Sequence, residues 1–161
     1  MGSATVVAAG AVLGEGSCLA DHVLVRETTV LRESVMIGPG GSVGHSTLIG
    51  ARTRIQNECL VAPWTVIDED VLVGGRVTFI GDPTMGRRPE GQPASGICVR
   101  RAARIGTSAI IFPPVEIGEE AVVGAAAMGP GRRASTNRRR GHAGDAAAHG
   151  PRRRAAGGMA V

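Results

Sequence analysis

At 161 residues, with two Phe, one Trp and no Tyr, the chain is long enough for one domain with a sizeable core but too poor in large side chains to fill an ordinary globular interior. A narrow interior of Val, Ile, Leu and Ala suits that composition better. The formal charge of +4 is uneven, since residues 1–128 hold 10 Arg against 13 Asp or Glu and residues 129–161 hold 8 Arg against one Asp. The high pI therefore describes the tail and not a basic folded face, and no nucleic-acid partner is expected.

The N-terminal residues are apolar but lack a basic leader segment, and no apolar run approaches a membrane span. Cys18, Cys59 and Cys98 are far apart and odd in number, with no C-x-x-C spacing to suggest a metal site. A cytoplasmic chain with reduced thiols, no bound metal and no membrane partner is expected.

Stepping by six from Val7 reaches Leu13, Leu19, Val25, Leu31, Ile37, Val43, Ile49, Ile55, Val61, Ile67, Val73 and Phe79, every one apolar. The residue after the apolar one is often Gly (Gly14, Gly38, Gly44, Gly50, Gly74), which suggests a tight corner. The residue four after it is small or β-branched, from Ser17 through Thr29, Thr47, Thr53, Cys59 and Thr65 to Val77, as the inside of a narrow coil requires. The beat resumes at Val99, Ile105, Ile111, Ile117 and Val123. The fourteen extra residues between Phe79 and Val99 then read as a loop at one corner, placed at 84–98.

Six residues make one flat side with a short strand, and three sides close a coil of eighteen whose backbone bonds to the coils above and below. Eighteen hexads make about six coils, roughly 29 Å of prism at a strand spacing of about 4.8 Å. Residues eighteen apart should stack: Ile37 under Ile55, Ile55 under Val73 and, across the loop, Phe79 under Ile111. Longer, less regular coils would mark a right-handed β-helix, and period two with turns every eight to twelve residues a β-sandwich; neither fits. The fold class is thus all-β, a parallel β-helix of about six triangular coils over residues 1–128. From Gly129 the column fails and Arg, Gly and Ala dominate, so 129–161 is expected to be a disordered tail.

Residues 43–128 carry a resemblance. Arg54-Ile55-Gln56-Asn57, Thr65-Val66-Ile67-Asp68-Glu69-Asp70-Val71, Val77-Thr78-Phe79-Ile80-Gly81-Asp82-Pro83 and the blocks Ala103-Arg104-Ile105-Gly106 and Ala121-Val122-Val123-Gly124-Ala125 resemble the hexapeptide-repeat sugar-nucleotide N-acyltransferases. That family acylates the amine of a nucleotide-linked amino sugar. The resemblance implies a left-handed helix, a homotrimer with sites between neighbouring prisms, and acetyl-CoA or a related acyl-CoA as donor. It also implies roles for particular residues: Asn57 and Asp82 at the reacting amine, Gln56 and Trp64 at the sugar nucleotide, and Arg87 and Arg88, with Arg100 and Arg101, at phosphates. Gly106, Ser108, Gly124 and Ala125 would border the coenzyme A groove.

Where the family reads V-Y-E-G and F-T-N-D, this chain has Val61-Ala62-Pro63-Trp64 and Phe79-Ile80-Gly81-Asp82. Pro63 and Gly81, eighteen apart, should stack, and Trp64 should lie beneath Asp82. Amide formation from a thioester needs an unprotonated amine against the carbonyl and donors for the developing oxyanion. A sugar amine reaches that state without a strong protein base, so a stretch free of His from 46 to 141 does not oppose it. A trimer that has lost catalysis and serves as a scaffold is the alternative. A γ-class carbonic anhydrase does not fit, because only His22 and His45 lie in the coils and their spacing is not a multiple of eighteen.

Overall fold

Residues 1–90 and 96–129 are described by the structure, a computed structural model. Among them nineteen strands, most of two residues, form three parallel sheets. Sheet A has seven strands, from Val6–Val7 to Met128–Gly129; sheet B has six, from Val12–Leu13 to Val115–Ile117; sheet C has six, from Cys18–Leu19 to Val122–Val123. The chain visits A, B and C in turn, so it winds six full coils of a triangular β-helix, and the seventh strand of sheet A opens the next. Three edges, AB, BC and CA, separate the sheets.

The stacking follows the eighteen-residue step. Ile37 pairs with Ile55 and Ile55 with Val73, and Phe79 pairs with Ile111 across the loop. In the two-residue strands up to Val122–Val123 the second residue points inward. From Leu19 to Ile117 that column is buried, with Val25, Ile37, Val43, Phe79 and Val99 wholly enclosed. Leu13 is 36% exposed because it sits in the first coil, with nothing beneath it among the described residues. Burial of each such side chain contributes about 1.5–3 kcal/mol.

Inside the corners, short hydroxyls bond upward. Thr29 Oγ1 donates to the carbonyl of Gly44 at 2.8 Å and Thr53 Oγ1 to that of Asp68 at 2.8 Å, each fifteen residues on. These bonds satisfy a polar group that an apolar interior would otherwise penalise. Thr65 is the exception, since its buried Oγ1 has no hydrogen-bond partner among the described residues. Its counterpart fifteen residues on is Ile80, where the chain is about to leave the prism for the loop.

The glycine column works differently from the expected corner role. The positive-φ residue lies two positions further on and is seldom Gly: Ser34, Ser46, Arg52, Glu58, Trp64 and Asp70 have φ between 54° and 59°. Such a conformation costs a non-Gly residue about 1 kcal/mol or more. The coil below compensates, because the amide of each donates to a carbonyl nineteen residues earlier, as Ser34 N to Glu15 O at 2.8 Å and Asp70 N to Ala51 O at 2.9 Å. Gly44 and Gly74 are needed instead for close approach. A Cβ there would come within 2.5 Å of Pro63 N and 2.6 Å of Thr107 N.

The loop also starts and ends earlier than 84–98. The chain leaves after Gly81 and re-enters at Gly96, and Ile97–Val99 is already a strand of sheet B. Ile97 and Val99 are buried while Cys98, paired with Val66, points outward. The in–out–in alternation of a three-residue strand claims two residues that the hexad count leaves to the loop. At the other end Gly129 pairs with Ile111, one residue into the expected tail; 130–161 lies outside the described residues. No helix among the described residues is long and apolar enough to cross a membrane.

Phe79→Ala should destabilise the protein by about 3–5 kcal/mol through the cavity it leaves, whereas Met85→Ala, at an exposed loop position, should change stability by less than about 0.5 kcal/mol. Denaturant unfolding of the two variants checks the contrast.

Candidate functional site

The residues expected at the site fall into two groups on different edges. Asp82, Trp64, Arg87 and Arg88 belong to the AB edge, where the loop leaves the prism. Gln56, Asn57, Gly106, Ser108, Gly124 and Ala125 belong to the CA edge. One strand of sheet A, Leu60–Val61, lies between Asn57 and Trp64, so the groups are roughly 15–20 Å apart. Within one chain the structure does not bring them together.

On the AB edge, Asp82 organises the loop. Its Oδ1 accepts hydrogen bonds from Thr84 Oγ1 at 2.6 Å and Thr84 N at 2.9 Å, and its Oδ2 accepts from Gly86 N at 2.8 Å. Arg88 donates to the Gly81 carbonyl at 3.2 Å and stands 3.7 Å from Asp82 Oδ1. The Thr84 hydroxyl bond, with the backbone bonds of Gly86 and Thr84, lowers the Asp82 carboxyl to about 2. A carboxylate so held is a poor base, and its remaining lone pairs can only accept a hydrogen bond.

Pro63 and Gly81 stack as the count requires; a Cβ on Gly81 would lie 3.7 Å from Pro63 Cδ. Trp64 does not lie beneath Asp82. Gly96 lies over Trp64 instead, because the register beyond the loop is thirty-two residues and not eighteen, as Val66 pairing with Cys98 shows. A Cβ on Gly96 would collide with the Trp64 carbonyl, so the loop re-enters by lying flat on the tryptophan backbone. The indole is 46% exposed and meets the His45 ring edge-on, with centroids 4.5 Å apart and planes at 85°. In the sequence His45 stands out only as a zinc-ligand candidate with the wrong spacing. A spacing of nineteen from Trp64 was the signal for this contact, one residue beyond the stacking step.

On the CA edge, Gln56 Oε1 accepts from Gly75 N at 2.9 Å, which is a corner-capping bond between coils. The Asn57 side chain lies against Gly75, where a Cβ would come within 2.8 Å of Asn57 Oδ1. Asn57 is exposed, and its side-chain amide has no hydrogen-bond partner among the described residues. Two coils further on, Ser108 is exposed and Gly106 packs against Ala125, while a Cβ on Gly124 would meet nothing within 4 Å. The edge therefore climbs from a polar amide to a bare backbone strip at the last coil.

Arg100 and Arg101 stand apart from both groups, on the BC edge. Arg100 bonds Glu116 at 2.9 Å and lies 3.8 Å from Asp68, and Arg101 pairs with Glu119. These carboxylates already satisfy them, which corrects their expected place beside the loop. The Arg87 guanidinium is exposed and has no partner among the described residues. Among those residues no group of three His, Cys, Asp or Glu could hold a metal ion.

No family model matches the chain, and no curated protein does. Solved structures do. PerB from Caulobacter crescentus, in complex with CoA and GDP-perosamine, is 19% identical with a TM-score of 0.47, covering 81% of this chain and 51% of that one. AntD from Bacillus cereus, an N-acyltransferase in complex with dTDP-4-amino-4,6-dideoxyglucose and coenzyme A, is 17% identical with a TM-score of 0.38, covering 82% of this chain and 75% of that one. The chain spans about half the length of PerB.

The depressed Asp82 carboxyl carries a pH signature. Because its folded value lies below the ordinary 3.8, its contribution to loop order is present above about 4 and is lost as pH falls towards 2. The Thr84 and Gly86 amide resonances should titrate with a midpoint near 2, and in Asp82→Asn that titration should vanish.

Proposed function

We propose that the protein transfers an acyl group from acetyl-CoA, or a related acyl-CoA, to the amine of a nucleotide-linked amino sugar. The observation that carries this reading is the in-register loop at the AB edge, anchored by Asp82 and laid on Trp64. It realises in three dimensions the V-x-F-x-x-D-P segment on which the resemblance is most specific. The Asn57 amide and the bare strip from Gly106 to Ala125 on the CA edge supply the other half.

A site that uses both edges needs two copies of the chain. A homotrimer of prisms meets that need, each AB edge facing a neighbour's CA edge, and the exposed Leu24 and Leu60 on sheet A give such an interface apolar surface. In that arrangement Trp64 and His45 present an aromatic wall to the base or sugar, and Asn57 and Asp82 hydrogen-bond the amine. Gln56 holds the corner through Gly75, and Arg87 and Arg88 meet phosphate. Gly106, Ser108, Gly124 and Ala125 leave room for the extended pantetheine arm.

The chemistry balances simply. The amine nitrogen attacks the thioester carbonyl, the C–N bond forms as the C–S bond breaks, and the proton lost by the amine ends on the departing thiol. Holding the amine unprotonated and aligned is the main demand on the protein, which suits a site whose carboxylate is too acidic to serve as base. A cytoplasmic setting, where acyl-CoA is available and the three cysteines stay reduced, belongs to the same proposal. The scaffold reading has one observation of its own: the Pro63–Gly81 patch presents no side-chain polar group beside the loop.

Incubating the purified full chain with acetyl-CoA and a panel of nucleotide-linked 3-amino and 4-amino sugars should release free thiol with at least one sugar. Asn57→Ala and Trp64→Ala should each lower kcat/KM about tenfold or more, the equivalent of roughly 1.4 kcal/mol of lost transition-state binding. Absence of both turnover and coenzyme A binding would leave the scaffold.

A further inference from the structure

Sheet C turns Arg54, Leu72 and Arg104 outward on three successive coils, Leu72 pairing with Arg54 on one side and with Arg104 on the other. With Ser34, Arg52 and Asp70 from the neighbouring BC edge they line a groove of about 410 Å³. The groove holds three guanidinium groups and one carboxylate, and their pairing is unequal. Arg52 Nε and Nη2 donate to the two oxygens of Asp70 at 2.7 and 2.8 Å, so that pair is closed. The surrounding acids, Glu33 and Glu69, also act on Arg52.

Arg104 is placed without being neutralised in the same way. Its Nη1 donates to the carbonyl oxygens of Asp70 at 2.6 Å and Ala103 at 3.2 Å, which orients the guanidinium and leaves Nε and Nη2 without partners among the described residues. The Arg54 guanidinium has neither a hydrogen bond nor an ion pair among them. Two strand spacings, roughly 10 Å, separate the two backbones, and the long side chains can converge over the flat apolar floor of Leu72. A pre-oriented guanidinium opposite a free one, both presenting planar forks of N–H donors, is the arrangement that suits phosphate oxygens.

We infer that this groove binds a phosphate-bearing small molecule, with Arg54 and Arg104 clamping a diphosphate or a phosphomonoester over Leu72. The Arg52–Asp70 pair forms one wall and Ser34 a hydroxyl at the lower end. The inference stands without the proposed acyl transfer, although both substrates of that reaction carry phosphates of this kind.

Calorimetric titration of the full-length protein tests it, with inorganic pyrophosphate, coenzyme A, dephospho-coenzyme A, dTDP and GDP as separate ligands at low and physiological salt. At least one should bind, more tightly at low salt. Arg54→Ala/Arg104→Ala should weaken that binding about a hundredfold, and Arg26→Ala, whose guanidinium is paired with Glu27, should leave it unchanged. Should the double alanine variant fail to fold, Arg54→Lys/Arg104→Lys, which keeps the charges but not the forks, should still weaken binding measurably. Preference for coenzyme A over both dephospho-coenzyme A and the nucleoside diphosphates would identify its 3′-phosphate as the occupant; preference for dTDP or GDP would identify the sugar nucleotide. Binding of none of the ligands, or affinity unchanged in the double variant, overturns the assignment. Phosphate binding that depends on these arginines in a protein without acyl transfer would sink the proposed function and leave the groove standing.

Discussion

The coil-to-coil backbone ladder governs everything else in this protein. Amides at and just after the strands donate to carbonyls of the adjacent coil, as Leu48 N to Thr65 O at 3.0 Å and Gly74 N to Ile105 O at 2.8 Å, so paired residues are held one strand spacing from their counterparts a coil away. An unpaired amide inside that ladder would cost more than most side-chain interactions contribute. Insertions are therefore tolerated only at a corner, and only if the chain returns in register. The loop obeys both conditions, leaving after Gly81 and returning so that Ile67 pairs with Val99.

The same ladder makes three unlike edges out of one repeat. On the BC edge acids and arginines stack into ion pairs, Arg52 with Asp70, Arg100 with Glu116 and Arg101 with Glu119. Such exposed pairs contribute little stability each, but they cancel charge along that edge, whereas Arg54 and Arg104 on the adjoining face of sheet C take part in no ion pair among the described residues. The AB edge is apolar where it matters, with Pro63, Gly81, Trp64 and the flat return of Gly96. The CA edge ends in residues with almost no side chain. A ligand with a base, a charged middle and a long flexible arm would find a different surface for each part.

How far the sequence could be read follows from what periodicity encodes. The inner column was legible because burial demands an apolar residue at every sixth position, and the stacking of Phe79 with Ile111 followed from counting alone. Gly74 was visible as part of a column, but its reason was not: a count cannot tell a residue that needs positive φ from one that needs space beside Thr107. Loop boundaries were displaced because Ile97 is inward through a two-residue alternation that a six-residue step skips. Asp82 was singled out, yet its bonds to Thr84 and Gly86 depend on the turn it makes, and the Trp64–His45 contact crosses between neighbouring columns. The Arg54–Arg104 groove was hidden by the insertion, which puts these residues fifty apart in sequence while leaving only one strand between them.

Sharing of one site between two copies is the most exposed part of the proposed function, and mixing two impaired variants tests it directly. Asn57→Ala disables a CA edge and Trp64→Ala an AB edge, so after subunit exchange some interfaces join an intact CA edge to an intact AB edge. Acyl transfer from acetyl-CoA should then reappear in the mixture at a level that neither variant reaches alone. Mixed oligomers that form but show no gain over the separate variants would contradict a site built from two edges.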